Sequence, residues 1–336
     1  MGPGTVPRDR AEYSATISDS WKRQTLLNIV RLRYLDPPVF VDVGQIVAGY
    51  TLETSVTAGA SFPETNNFGG NTATVAGSGR YTDRPTITYT PLTGNRFVKG
   101  LMTPIPPESV FFTIQSGWPA DGVLIATVAS INGLKNQESS LGAVAAPDPE
   151  FLRVAALMRQ LQLSDTVGMR VQIDAAKQQS TILTFRTDQI SPETAQASRE
   201  LRKLLRLDPN ATTFKLAFGG TATNDKEIAV ITRSILHMMQ TMTSQVEVPR
   251  KDLDEHRVTP GWESLPNADA TRLVRINSSS TQPKDAFVSV KYRDNWFWID
   301  DRDLRTKRSF AFMMMLFTLA DTGERENLPL VTISAQ

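Results

Sequence analysis

From Ile46 to Phe62 the chain alternates without a break. Ile46, Ala48, Tyr50, Leu52, Thr54, Val56, Ala58, Ala60 and Phe62 occupy the even positions, and Val47, Gly49, Thr51, Glu53, Ser55, Thr57, Gly59 and Ser61 lie between them. Period-two patterning of this length predicts one strand with two unlike faces. A Gly/Asn-rich tip, 63–71, then reverses the chain, and 72–90 alternates again. Its odd positions are Ala73, Val75, Gly77, Gly79, Tyr81, Asp83, Pro85, Ile87 and Tyr89, while threonine, serine and arginine dominate the even ones. At ~3.3 Å per residue each arm spans roughly 55 Å, whereas strands usually stop after about five or six residues. A hairpin of that length is marginal alone in water, so it requires neighbours.

Two kinds of neighbour fit. One is a β-sheet or soluble oligomer in which the hairpin forms an edge. The other is a closed oligomeric barrel to which each copy donates one hairpin. There the hydroxyl-rich face would suit a wet lumen and the apolar face would suit lipid, with Tyr50, Tyr81 and Tyr89 near the interfaces. Thr54 and Asp83 interrupt that apolar face. In either case unpaired strand edges favour self-association. The candidate association face is Tyr50, Leu52, Val56, Phe62, Val75, Tyr81, Ile87 and Tyr89.

The rest of the chain predicts an α+β protein. Residues 1–12 read as a tether, and 13–145 as a domain of one N-terminal helix, Tyr13 to Tyr34, plus the long hairpin. After a Gly/Ala/Pro linker, 142–149, residues 150–248 read as a small α/β domain. Within it, Ser191-Pro192-Glu193 opens a helix in the favoured order of cap, first-turn proline and early acid. Asn224 is expected to cap a further helix running to Met242. A C-terminal α+β unit, 269–336, carries strands at 272–276, 286–292, 296–299 and 330–333 and one apolar helix, Leu304 to Ala320.

Catalytic chemistry has little material here. There are no cysteines and only two histidines, His237 and His256, which removes thiol catalysis, disulfides and thiolate metal sites. The 36 basic and 35 acidic residues give a net charge of +1, so no long-range field draws the chain to nucleic acid. Gly77-Ser78-Gly79 and Gly219-Gly220 match neither phosphate-binding glycine pattern. Asp300, Asp301 and Asp303 precede a helix, where carboxylates cap exposed N–H groups; this is the better reading over a cation site. His237 reads as a structural histidine, and the methionine groups 238–239 and 313–315 as core. Trp296 and Trp298, flanking Phe297, are the candidate ligand-stacking residues, and a sugar is the chemistry they would suit. The chain therefore reads as non-enzymatic, with no metal or cofactor assigned.

WKRQTLLNIVRLRYLDPPVFVDVG (21–44), RPTITYTPLTGNRFVKGLMTPIP (84–106) and WFWIDDRDLRTKRSFAFMMMLFTLAD (296–321) resemble a family of uncharacterised bacterial outer-membrane lipoproteins. The resemblance implies a protein on the periplasmic face of the outer membrane, held by a lipidated cysteine followed by a short polar tether. Residues 2–10 resemble that tether, with Met1 standing where the cysteine would be. A structural or assembly protein of the cell envelope follows, homo-oligomeric through 46–90 and open to contacts with other envelope proteins. A pore or export-channel subunit and a polysaccharide- or peptidoglycan-binding protein are the alternatives.

Overall fold

The computed structural model describes residues 6–47, 50–61, 72–83, 86–92, 95–140, 143–173, 179–265, 272 and 274–320. The expected hairpin tip with Phe62, and the expected strand at 330–333, lie outside the described residues. The fold is α+β, and it divides into two compact units, 39–92 and 1–38 together with 93–336.

The larger unit opens with helix α1, Val6–Arg33. It begins earlier than the expected Tyr13, so residues 6–12, read as tether, are helical. Pro7 lies in the first turn, where its missing N–H costs nothing, and Ala11 and Glu12 are good helix formers. Leu26, Ile29 and Val30 form its buried stripe. The helix ends in the order Tyr34-Leu35-Asp36-Pro37-Pro38, with Leu35 at φ 61°. There the chain is anchored from the C-terminal part of the molecule. The Tyr34 hydroxyl donates to Asp252 at 2.6 Å, the Tyr292 hydroxyl donates to Asp36, and the Arg293 guanidinium lies 4.4 Å from the Tyr34 ring centre. Burial, followed by the Asp252 carboxylate, pushes the Tyr34 hydroxyl far above its usual pKa, so it remains a donor.

Helices α2 (Asn95–Met102), α3 (Pro107–Gln115) and α4 (Ala120–Thr127) lead into β5 (Val128–Ile131) and β6 (Leu134–Lys135). A small ladder of β7 (Glu138–Ser140) with β8 (Ala143–Ala145) occupies part of the expected linker. Helix α5 (Pro149–Leu163), β9 (Val167–Ile173), β10 (Gln179–Phe185), α6 (Pro192–Leu204), β11 (Thr213–Phe218) and β12 (Glu227–Thr232) complete the central sheet. Its order is β6-β5-β12-β11-β10-β9, antiparallel except for the β11–β12 pair. It therefore recruits 128–135, from the far side of the expected linker. Ser191 caps α6 as its sequence predicts, accepting from the Thr194 N–H at 3.1 Å.

The segment after Asn224 corrects one expectation. It is not helical: Glu227–Thr232 is a strand, because the β-branched run Ile228, Val230, Ile231, Thr232 suits a pleated surface. The helix begins only at α7 (Ile235–Thr243), where Ser234 accepts from the His237 N–H at 3.2 Å. A short α8 (Arg250–Asp254) follows. The C-terminal part is a three-stranded sheet, β13-β15-β14, built from β13 (Asn277–Ser279), β14 (Ala286–Tyr292) and β15 (Asn295–Asp300), and then α9 (Leu304–Ala320). Residues 272, 274 and 275, expected as strand, are not in one, although Ile276 bridges to Val246.

Three arginines lie inside this unit. The Arg33 side chain is wholly buried against Glu263, with Gly261 so close that a Cβ there would strike the guanidinium. Arg202 donates to Ser198 and lies over the rings of Phe185 and Phe214. Arg233 donates to the Ile125 and Ala126 carbonyls at 2.8 and 3.2 Å, neutralising the negative end of α4. Burial pushes its pKa down to about 10, which leaves it charged at neutral pH.

Among its described residues the smaller unit holds four strands, β1 (Val41–Val47), β2 (Tyr50–Ser61), β3 (Thr72–Asp83) and β4 (Thr86–Pro91). β1 pairs antiparallel with β4, and β2 with β3.

Candidate functional site: an uncovered β-ribbon

The two ladders of the smaller unit share one register. Ile46 faces Ile87 and Val47 faces Thr86 in the first, while Tyr50 faces Asp83 and Ser61 faces Thr72 in the second. The paired residue numbers sum to the same value from Gln45 to Val47 and from Tyr50 to Ser61, so the two ladders keep one register and are taken together as a ribbon. Below Gln45 the register shifts by one, and Val43 faces Tyr89 and Val41 faces Pro91. The extra residue is Gly44, the type a bulge tolerates best. Because of the bulge, the apolar positions of β1, odd-numbered before Gly44 and even-numbered after it, stay opposite the odd-numbered positions of β4.

Register sorts the β2 and β3 residues into two files. One holds Thr54, Val56, Ala58 and Ala60 opposite Gly79, Gly77, Val75 and Ala73. The other holds Glu53, Ser55, Thr57 and Gly59 opposite Arg80, Ser78, Ala76 and Thr74. The Ser55 and Ser78 hydroxyls hydrogen-bond at 2.7 Å across the second file. Both charges of these stretches belong to that hydroxyl file, and they lie opposite each other. Nothing approaches within 4 Å of where a Cβ would stand on Gly59, Gly77 or Gly79.

Every described side chain over 53–60 and 73–80 is exposed, in both files. Val56 is 76% exposed and Val75 75%. Tyr89 of β4 is also exposed, at 61%. For Tyr50, Leu52, Tyr81 and Ile87 the description is of backbone register alone. It places Tyr50, Leu52 and Tyr81 in the first file and pairs Leu52 with Tyr81. Among the described residues neither arm pairs with a third strand. Of the devices that blunt a sheet edge, lysine, proline and a bulge are missing from Tyr50–Ser61 and Thr72–Asp83, whose charges are Glu53, Arg80 and Asp83.

The other candidate residues sit in the larger unit. Trp296 and Trp298 share one face of β15, where Trp296 pairs with Ser279 and Lys291, and Trp298 with Asn277 and Ser289. Both are half-buried, Phe297 on the opposite face is fully buried, and the Trp298 Nε1 is enclosed without a hydrogen-bond partner. Asp303 accepts from the Thr306 N–H and hydroxyl at 3.0 and 2.6 Å, capping α9, and Asp301 pairs with Lys307 at 2.7 Å. Burial, then the charge of Arg233, pushes the His237 pKa below its usual value. His256 is exposed in a left-handed turn at φ 54°. A cleft of about 520 Å³ between α3, α5 and β9 is lined by Phe111, Ile114, Met158, Leu163, Met169 and Leu183, among others. The Gln162 side chain beside it is fully engaged with the Ile114 and Trp118 carbonyls and the Ala120 N–H.

No cluster of three or more His, Asp or Glu side chains suited to a metal occurs among the described residues, and no described helix is long and apolar enough to cross a membrane. Sequence reasoning missed Gly44 and the three buried arginines. The parity switch from Val41 and Val43 to Ile46 was the available signal for the first. Compared with known proteins, the chain matches no protein-family model, no curated protein and no solved structure.

Proposed function

We propose that this chain is a non-enzymatic assembly protein whose copies join through the 41–91 ribbon, each adding two strands to a shared β-structure. The observation that carries the reading is the 12-residue ladder of β2 and β3, with both outer edges unpaired among the described residues and described side chains exposed in both files. Each outer edge presents a row of backbone donors and acceptors that another strand can satisfy. The two edges belong to different strands, so β2 of one copy would meet β3 of the next, antiparallel, in a head-to-tail contact. Contacts of that kind close into rings, and closure removes every edge. The resemblance to outer-membrane lipoproteins supports placing the assembly at the periplasmic face of that membrane.

Light scattering of the purified chain, with and without mild detergent, tests this. The expected result is a discrete multiple of 37.1 kDa in at least one condition. A monomer in both conditions, at concentrations well above those in the cell, would overturn the reading.

A further inference from the structure

Resting on that self-association, we propose that the file of Thr54, Val56, Ala58, Ala60, Ala73 and Val75 faces lipid acyl chains in the assembled ring, and that the opposite file lines an aqueous lumen. Edge pairing satisfies the backbone but covers neither face of the ribbon, so each face still needs a surrounding that suits it.

The first file carries no charge over 53–60 and 73–80, and its only hydroxyl there is Thr54. The second carries both Glu53 and Arg80, with four hydroxyl side chains from Ser55, Thr57, Thr74 and Ser78. Such segregation suits an interface between water and something apolar. A sheet with water on both sides has no use for it.

Length agrees. Each arm of the β2–β3 ladder has 12 residues, and a strand crossing a bilayer at about 45° needs roughly 9–11. At ~3.3 Å per residue the ladder is about 40 Å long, or about 28 Å along the axis of a barrel tilted as membrane barrels are. That height matches an apolar band of about 25–30 Å, with Tyr50 and Asp83, paired at the end of the first file, placed at its edge. The Glu53–Arg80 pair on the lumen side would leave the wall of the channel polar and nearly neutral.

The chain contains no cysteine, so single cysteines at positions 53–60 can each carry one environment-sensitive dye, and all eight positions are exposed. Each labelled full-length protein is mixed with vesicles of phosphatidylcholine and phosphatidylglycerol, made with and without brominated acyl chains. The expected result is a period-two pattern. Dyes at 54, 56, 58 and 60 shift to the blue and lose most of their emission to brominated lipid, while dyes at 53, 55, 57 and 59 do neither. A shift at the even positions that brominated lipid leaves unquenched would overturn the proposal in favour of a protein layer over that face, as would a response with no parity. Light scattering on the same labelled samples, with and without detergent, separates the two levels. An oligomer without lipid contact defeats this inference alone, and a monomer both with and without detergent defeats the self-association beneath it.

Discussion

The central sheet and the ribbon are built from similar residues and end in opposite conditions. In β10, β11 and β12, Leu183, Phe185, Phe214, Ile228 and Val230 are all buried, and helices α3 and α5 pack against the sheet. In β2 and β3, Val56 and Val75 stand in the open, and each strand has a single partner among the described residues. The sheet completes its own core within one chain. The β2–β3 ladder of the ribbon is long and carries no lysine, proline or bulge, and under the proposed assembly its stabilising contacts would come from another copy. Stability and assembly should accordingly be separable by mutation.

The largest effect should come from the interior. Phe214→Ala removes a buried ring stacked edge-on with Phe185 at 5.4 Å between centres and lying against Arg202. A loss of about 3–5 kcal/mol in denaturant unfolding is expected. Gly261→Ala should cost about 1–3 kcal/mol, the usual range for overpacking, because the Arg33 guanidinium that a new Cβ would strike is fully enclosed. Ser191→Ala deletes the α6 cap and should cost about 1 kcal/mol. None of the three should change whether the folded chain associates.

A smaller effect concerns pH. The His237 pKa is depressed in the folded state, first by burial and then by Arg233. The unfolded chain therefore binds the extra proton more readily. The neutral histidine's contribution is fully present above its ordinary pKa of 6.5, and it is lost as pH falls from there through the depressed value. His237→Gln should flatten the fall in unfolding free energy on acidification below about 6.5. An unchanged slope would show that the loss of stability arises elsewhere. The smallest effect on stability sharpens the contrast most. Val56→Asp should leave the unfolding free energy of the monomer within about 0.5 kcal/mol, because the side chain it replaces is already exposed. In detergent, the same variant should fail to reach the assembled mass of the parent.

These two regions also differ in how plainly their sequence announces them. The ribbon was legible as two long arms because period-two alternation runs along both, and the observed ladders pair even-numbered with odd-numbered positions from Gln45 to Val47 and from Tyr50 to Ser61. Gly44 was harder, since a bulge changes parity without leaving any composition signal beyond a glycine. In the sheet, Ile228 to Thr232 is short and apolar enough for either helix or strand, and Asn224 upstream tipped the reading toward a capped helix. The neighbouring strand β11, and hence the parallel pairing, lies outside any local window. Arg33, Arg202 and Arg233 gave no warning because arginine is exposed by default, and only the packed structure shows which carbonyls, carboxylates and rings surround them. The tryptophans at 296 and 298 were legible as a pair on one strand face, while the enclosed Nε1 of Trp298 was not.

The most direct test of the account asks whether the β2 edge of one copy lies beside the β3 edge of another. Single cysteines at Ser55 or Thr57 would be placed in one preparation, and at Thr74, Ala76 or Ser78 in a second. The two preparations would be mixed as monomers, allowed to assemble and oxidised. The account predicts covalent dimers joining one copy of each type for the pairs that fall in register, and none when assembly is prevented. An intact oligomer in which no pair across the panel cross-links would contradict it, placing the interface away from the ribbon.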